Sequence, residues 1–228
     1  MRWFGGRDPS ADEDALDGDE SEVPTRGPWD SDHMPDLDGR VDLGALRVPT
    51  RSGMAIRMEQ ERKTKRIVAV NLVLDGSGLQ VQAFAAPRSS GLWEDLRGEI
   101  ADMVAKQGGS VTEQGGPFGI ELVARLPAQT PDGRKGYRPA RFIGVDGPRW
   151  FLRGVITGRA AAEGEAARVI EEVLADIVVV RGSDARAPRD LLTLHMPGKP
   201  GEEVTQTSTA RPVINLDAGP GPEITEVR

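Results

Sequence analysis

Residues 67–85 narrow the fold of this chain more than any other stretch. Ile67-Val68-Ala69-Val70-Asn71-Leu72-Val73-Leu74 is almost wholly apolar and β-branched. That is the composition of a strand placed centrally in a sheet and covered on both faces. Asp75-Gly76-Ser77-Gly78 follows, supplying residues that tolerate the positive φ of a tight hairpin. The returning stretch then alternates, with Leu79, Val81, Ala83 and Ala85 on one side and Gln80, Gln82 and Phe84 on the other. Pro87 ends it, because proline cannot donate a ladder hydrogen bond.

The same punctuation runs from Gly39 to Pro197, with short apolar runs bounded by Gly, Pro or Asp. Leu43–Val48 and the alternation of Met54, Ile56 and Met58 read as strands before the hairpin. A helix follows, capped by Ser89 or Ser90, with Trp93, Leu96, Ile100, Met103 and Val104 on one stripe and a stop at Gly108-Gly109. Strands are expected at Val111–Gln114 and Phe118–Leu126. Pro131-Asp132-Gly133 is a turn. Arg138–Val145 and Arg149–Thr157 form a second hairpin around Asp146-Gly147-Pro148. A second helix is expected from Ala160 to Asp176, with the stripe Val169, Ile170, Val173, Leu174 and Ile177, and strands at Ile177–Val180 and Leu191–His195 close the body. Strands in runs joined by hairpins imply antiparallel pairing, and the helices do not alternate one-for-one with strands as in a doubly wound fold. The expected class is α+β: a mainly antiparallel sheet covered by two amphipathic helices, with disordered N- and C-terminal tails.

Charge divides the chain further. The formal net charge is −7, from 36 acidic and 29 Lys+Arg residues, yet Asp8–Asp38 holds twelve acidic residues against Arg26 alone. The remainder is therefore slightly basic. Residues 1–38 read as an acidic disordered arm with too little apolar surface to offset backbone ordering. Such an arm solubilises the body, competes with an acidic partner for its basic residues, or binds a basic partner. Residues 39–197 read as a single domain, and 198–228 as a Pro/Gly-rich tail. The alternating end peptide Glu223-Ile224-Thr225-Glu226-Val227-Arg228 suits strand addition to a sheet edge, on this chain or another. Met1-Arg2-Trp3-Phe4 is not followed by the apolar region of a secretory signal, and no apolar run is long enough to cross a membrane, so a cytoplasmic location without membrane insertion is expected.

Much chemistry is excluded. Without cysteine there is no thiolate metal site or nucleophile, and His33 and His195 cannot supply a three-histidine site. Phosphate-cradling loops and the G-x-S-x-G elbow are missing. Ser77 lies in a hairpin turn without an assignable base. The carboxylate groups Glu94/Asp95/Glu99 and Glu171/Glu172/Asp176 fall on solvated helix faces rather than in sites that would raise their pKa. The remaining cluster is basic with aromatics: Arg138, Arg141, Arg149, Arg153 and Arg159 lie on or beside the second hairpin with Tyr137, Phe142, Trp150 and Phe151. Charge plus stacking is how a nucleic acid or phosphorylated ligand is held, which makes Arg141, Arg149 and Arg153 the ligand-binding candidates. Alternation assigns Trp150 to the core. No catalytic residue, metal ligand or cofactor is indicated.

Gly27-Pro28-Trp29-Asp30, Gly39-Arg40-Val41-Asp42-Leu43-Gly44, Gln82-Ala83-Phe84-Ala85-Ala86-Pro87-Arg88, the run Arg141–Gly154 and the end peptide Gly221–Arg228 resemble a family of actinobacterial proteins of unknown function, often encoded beside a dUTPase. The resemblance spans most of the chain. It implies a soluble cytoplasmic protein with no catalytic residues to carry over, and a neighbourhood of nucleotide or nucleic-acid metabolism. Two functions are expected from these readings. The first is a non-catalytic protein-binding or adaptor module with an unknown protein partner. The alternative is a nucleotide- or nucleic-acid-binding protein, whether enzyme or sensor, that uses the basic second hairpin. Homo-oligomerisation is compatible with either.

Overall fold

Asp75 and Gly76 both take positive φ, +48° and +74°, and this two-residue turn reverses the chain where the sequence demands it. The computed structural model describes residues 25–88, 91–129, 134–198 and 225–227. The arm over 1–24, the capping serines Ser89 and Ser90, the Pro131-Asp132-Gly133 turn and most of the tail beyond 198 lie outside the described residues. The elements are β1 (Trp29–Asp30), β2 (Val41–Asp42), β3 (Leu46–Val48), β4 (Ala55–Gln60), β5 (Ile67–Leu74), β6 (Ser77–Ala85), α1 (Trp93–Lys106), β7 (Ser110–Gly116), β8 (Gly119–Gln129), β9 (Lys135–Gly147), β10 (Trp150–Gly158), α2 (Gly164–Ala175), β11 (Val178–Val179) and β12 (Thr225–Val227).

Two sheets result, ordered β12-β4-β5-β6-β10-β9-β8-β7 and β1-β11-β3-β2. Every pairing is antiparallel except that of β1 with β11. Alternation along the large sheet sends apolar side chains to both faces, so each face needs its own cover. On one side α1 packs Trp93, Leu96, Ile100 and Val104 against Phe84, Leu122, Phe142 and Phe151. On the other, α2 and the small sheet bury Ile170, Val173, Leu174, Leu46, Val48 and Val179 against Leu72, Leu79, Val81, Trp150 and Leu152.

Several expectations shift. β5 is buried through Val70, Leu72 and Leu74, but Asn71 and Val73 are only half-buried, so the strand is fully covered on one face alone. Ser77 leaves the expected turn, becomes the buried first residue of β6, and its Oγ accepts the N–H of Ala160 at 3.1 Å. The expected second helix is broken. A 3₁₀ turn, Arg159–Ala161, precedes Glu163 in extended geometry, and α2 begins only at Gly164. Ala167 takes a place in its buried stripe, while Val169 is exposed.

Residues 25–38, assigned by charge to the arm, belong in this structure to the folded body. Trp29 N–H donates to Ile177 O at 2.8 Å and Ser31 N–H to Val179 O at 3.0 Å. Asp30 is buried because the core indole of Trp150 needs an acceptor, and Oδ2 takes its Nε1–H at 2.6 Å.

Leu191–His195 is not a continuous strand, because it is shared between two sheets. β5 and β6 part beyond the Val70–Val81 pair. Gln82 Nε2 reaches across to Val68 O at 2.9 Å, and the chain from Arg189 to Leu192 occupies the vacated edge of β6. There Arg189 N–H donates to Ala85 O (2.8 Å), Ala85 N–H to Asp190 O (2.8 Å) and Leu192 N–H to Ala83 O (2.9 Å). A few residues on, Ala45 N–H donates to Thr193 O and His195 N–H to Leu43 O, both at 3.0 Å, on the loop between β2 and β3 of the small sheet.

The start of α1 is capped from a distance. Asp146, in the β9–β10 hairpin, accepts the N–H of Leu92 at 2.6 Å and of Trp93 at 3.2 Å. Trp93 then lies flat over Gly144, where a Cβ would sit 2.2 Å from the ring, and stacks on Phe151 at 6.1 Å. The Asp146→Ala variant is expected to lose about 1 kcal/mol of stability, the usual worth of a helix N-cap, with Asp146→Asn in between. Urea denaturation followed by circular dichroism checks this.

Candidate functional site

The three arginines of the second hairpin part company at the level of the pleat. On β10, Trp150, Leu152 and Ile156 face α2, so Phe151, Arg153 and Val155 face α1. On β9, Phe142 faces α1 and Arg141 faces α2. Arg141 and Arg153 therefore lie on opposite sides of one sheet. Arg149 lies in neither layer. It occupies the β9–β10 turn at φ +60°.

Arg141 is committed to internal ion pairs. Its Nε and Nη2 bind Glu121 of β8 in a fork at 3.0 and 2.8 Å, and Nη2 also reaches Glu171 of α2 at 2.6 Å. Gln114 of β7 donates a further bond to Glu121 at 2.7 Å. Burial opposes the guanidinium charge, but the hydrogen bonds Arg141 donates to Glu121 and Glu171, with the attraction of their charges, outweigh it and raise the pKa of Arg141. This cluster clamps β7, β8, β9 and α2 together. It also takes Glu171 out of the solvated helix face to which the sequence assigned it.

Arg153 has a different environment. Only 4% of it is exposed, Nη2 bonds the amide oxygen of Gln82, and its Nε–H has no hydrogen-bond partner. Among the described residues no carboxylate forms an ion pair with it. Glu59 acts on it only at longer range and is held by Asn71 (3.2 Å) and Gln80 (2.6 Å). Burial pushes the Arg153 pKa down to about 10, so the group stays charged at neutral pH.

Arg153 lines a hollow with Phe84, Leu92, Leu96, Ile100, Phe151 and Arg189. The hollow is narrow, with room for about one water-sized group. Arg189 sits at the mouth, paired with Glu99 at 2.7 Å and Asp95 at 3.6 Å on α1. The fork between β5 and β6 delivers Arg189 to this place. Its approach is not encoded near Arg153 in the chain, although alternation does place Gln82, Phe84, Phe151 and Arg153 on one face.

Arg149 has charged neighbours of its own sign. Arg181 Nε–H donates to Arg149 O at 3.0 Å, and Arg186 lies close by. Burial, then repulsion from Arg149 and Arg186, lowers the pKa of Arg181. Elsewhere, half-buried His195 bonds Met196 O through Nδ1 at 2.9 Å. Among the described residues no group of three or more His, Asp or Glu is placed to hold a metal ion, and no helix is long and apolar enough to cross a membrane.

A further feature lies at the sheet margin. β12 pairs antiparallel with β4, in the register Thr225↔Met58, Glu226↔Arg57 and Val227↔Ile56. An antiparallel α+β protein with a self-occupied sheet edge is the class these observations define. The chain belongs to the family described as "Protein of unknown function (DUF3710)", which matches residues 27–203. No curated protein and no solved structure matches it.

Replacing Arg141 by Met is expected to cost about 3–5 kcal/mol, because two carboxylates are left buried without their cation. Replacing Arg141, Glu121 and Glu171 together by Met is expected to recover most of that loss. Guanidinium denaturation of both variants measures it.

Proposed function

We propose that this protein is a non-catalytic binding module that receives an extended peptide strand along the outer edge of β4. A sheet edge offers a row of unpaired N–H and C=O groups, and an added strand gains affinity from main-chain hydrogen bonds largely independent of sequence. The observation that carries the reading is the seating of Thr225–Val227 on that edge. The chain's own end segment is then a placeholder, and a partner's strand takes its position. β4 shifts register against β5 between Glu59 and Gln60. That shift sets one limit of the receiving stretch and leaves Ile56–Met58 as its centre.

A second reading rests on Arg149, Arg181 and Arg186. Arg149 and Arg186 both lie near enough to repel Arg181, with Asp184 countering part of that charge, and a phosphate-bearing ligand such as a nucleotide would stabilise the group. Titration with a nucleoside triphosphate separates this reading from the first, since Arg181→Gln and Arg186→Gln would weaken such binding and leave peptide binding unchanged.

The strand-addition reading is tested with a fluorescent peptide of residues 221–228. Thr225→Pro with Glu226→Pro in the full chain removes the backbone donors of its own segment. That variant is expected to bind the peptide about tenfold more tightly than the unaltered chain, read by anisotropy. Equal and weak binding by both would sink it.

A further inference from the structure

The hairpin of β8 and β9 runs past the strands on either side of it. β7 pairs with β8 no further than Ser110↔Arg125, and β10 with β9 no further than Thr157↔Ala140. Beyond those points Leu126–Gln129 and Lys135–Arg138 pair with each other alone. Leu126 is still buried, but the pairs Pro127↔Tyr137, Ala128↔Gly136 and Gln129↔Lys135 contain no buried residue and form a two-stranded ribbon outside the core. Its margins are closed to further strands. Pro127 and Pro139 fit the ladder only with their nitrogens turned outward, so each margin lacks a donor where a new strand would bond. The ribbon therefore differs from the β4 edge, and its faces are what it offers to a partner.

Those faces are basic. Residues 125–139 hold Arg125, Arg134, Lys135 and Arg138 against Asp132 alone, a formal charge of +3 in a chain whose total is −7. Alternation places Arg125, Lys135 and Tyr137 on one face and Arg138 on the other. Tyr137 is 57% exposed, and the Arg125 guanidinium lies over its ring at 5.3 Å. On the same side of the sheet Glu121 and Glu171 are held by Arg141. We infer that this ribbon binds duplex DNA by entering the major groove. That groove is about 12 Å wide and about 8.5 Å deep, and it admits a two-stranded β-ribbon. Three residue pairs at about 3.4 Å each give the ribbon a reach of roughly 10 Å, enough to span the depth. Cations on both faces suit a groove, which has a phosphate chain along each wall, whereas a flat acidic surface would meet one face only. Gly136 opposite Ala128 keeps the reverse face thin at mid-length. The deep, narrow major groove of A-form RNA does not accept such an insert. This inference is independent of the β4 edge and of Arg149.

The test titrates the full chain into a fluorescein-labelled DNA duplex of about 20 base pairs at about 50 mM salt, read by anisotropy. Saturable binding is expected. Arg125→Gln with Lys135→Gln, both at exposed positions, is expected to weaken it about tenfold or more and to lower the slope of log K against log salt by about two. Arg62→Gln with Lys63→Gln removes the same charge from the exposed turn between β4 and β5 and is expected to leave binding unchanged. Should the Arg125/Lys135 variant fold poorly, backbone amide shifts of the unaltered chain decide the matter, with those of residues 125–129 and 135–138 expected to move on adding DNA. No binding, shifts confined to other parts of the chain, or equal affinity in the Arg125/Lys135 variant overturns the inference. Equal or tighter binding of an RNA duplex, a single strand or polyglutamate also overturns it, since each marks a site for bare charge or for another partner.

Discussion

The ladder between β6 and β10 is the constraint from which the rest of this structure follows. Nine residues of each strand pair in unbroken register, from Trp150↔Ala85 to Gly158↔Ser77. Once that register is set, the pleat decides everything on both faces. Leu79, Val81, Ala83, Trp150 and Leu152 must go to the side closed by α2 and the small sheet, and Phe84, Phe151 and Arg153 to the side closed by α1. A slip of one residue would exchange the two sets and bring Arg153 into the larger core. Two cores on one sheet also explain why the chain needs two helices of such different company. α1 works against aromatic rings, whereas α2 works beside four short strands.

Two arginines one strand apart show how position in the pleat sets the fate of a charge. Arg141 enters the layer where Glu121 and Glu171 can both reach it, and it becomes a fastener. Arg153 enters the layer where the neighbouring polar groups are amides and the remaining walls are hydrocarbon. Its charge is solvated by a dipole and left partly unanswered. The first arrangement contributes to holding the fold, while the second leaves one N–H of the guanidinium without a partner.

The legible parts of this protein were the local ones. The β5–β6 hairpin, the stripe of α1 and the stop at Gly108 depend on residues a few positions apart, so alternation and turn chemistry were enough to place them. Alternation also separated Trp150 from Phe151 and Arg153. It did not show that Arg141 and Arg153 would be separated by the thickness of a sheet, because that requires the registers of β9 and β10 to be known together. The Asp146 cap of α1, the Glu171 contact with Arg141 and the Asp30 acceptor for Trp150 join residues 30 to 120 positions apart, and no local pattern encodes such meetings. Charge counting misread residues 25–38 for the same reason. An aspartate surrounded by other acids reads as solvated until an indole from the far half of the chain requires its oxygen.

The stretch from Arg189 to His195 gives the molecule its mechanical unity. Its first half is bonded to the free margin of β6, and its second half to the loop that leads into β3. It works as a stitch through both sheets, with no slack between the two sets of knots. Main-chain hydrogen bonds from one short segment thus join the edge of β6 beside Arg189 to the backbone of Leu43 and Ala45.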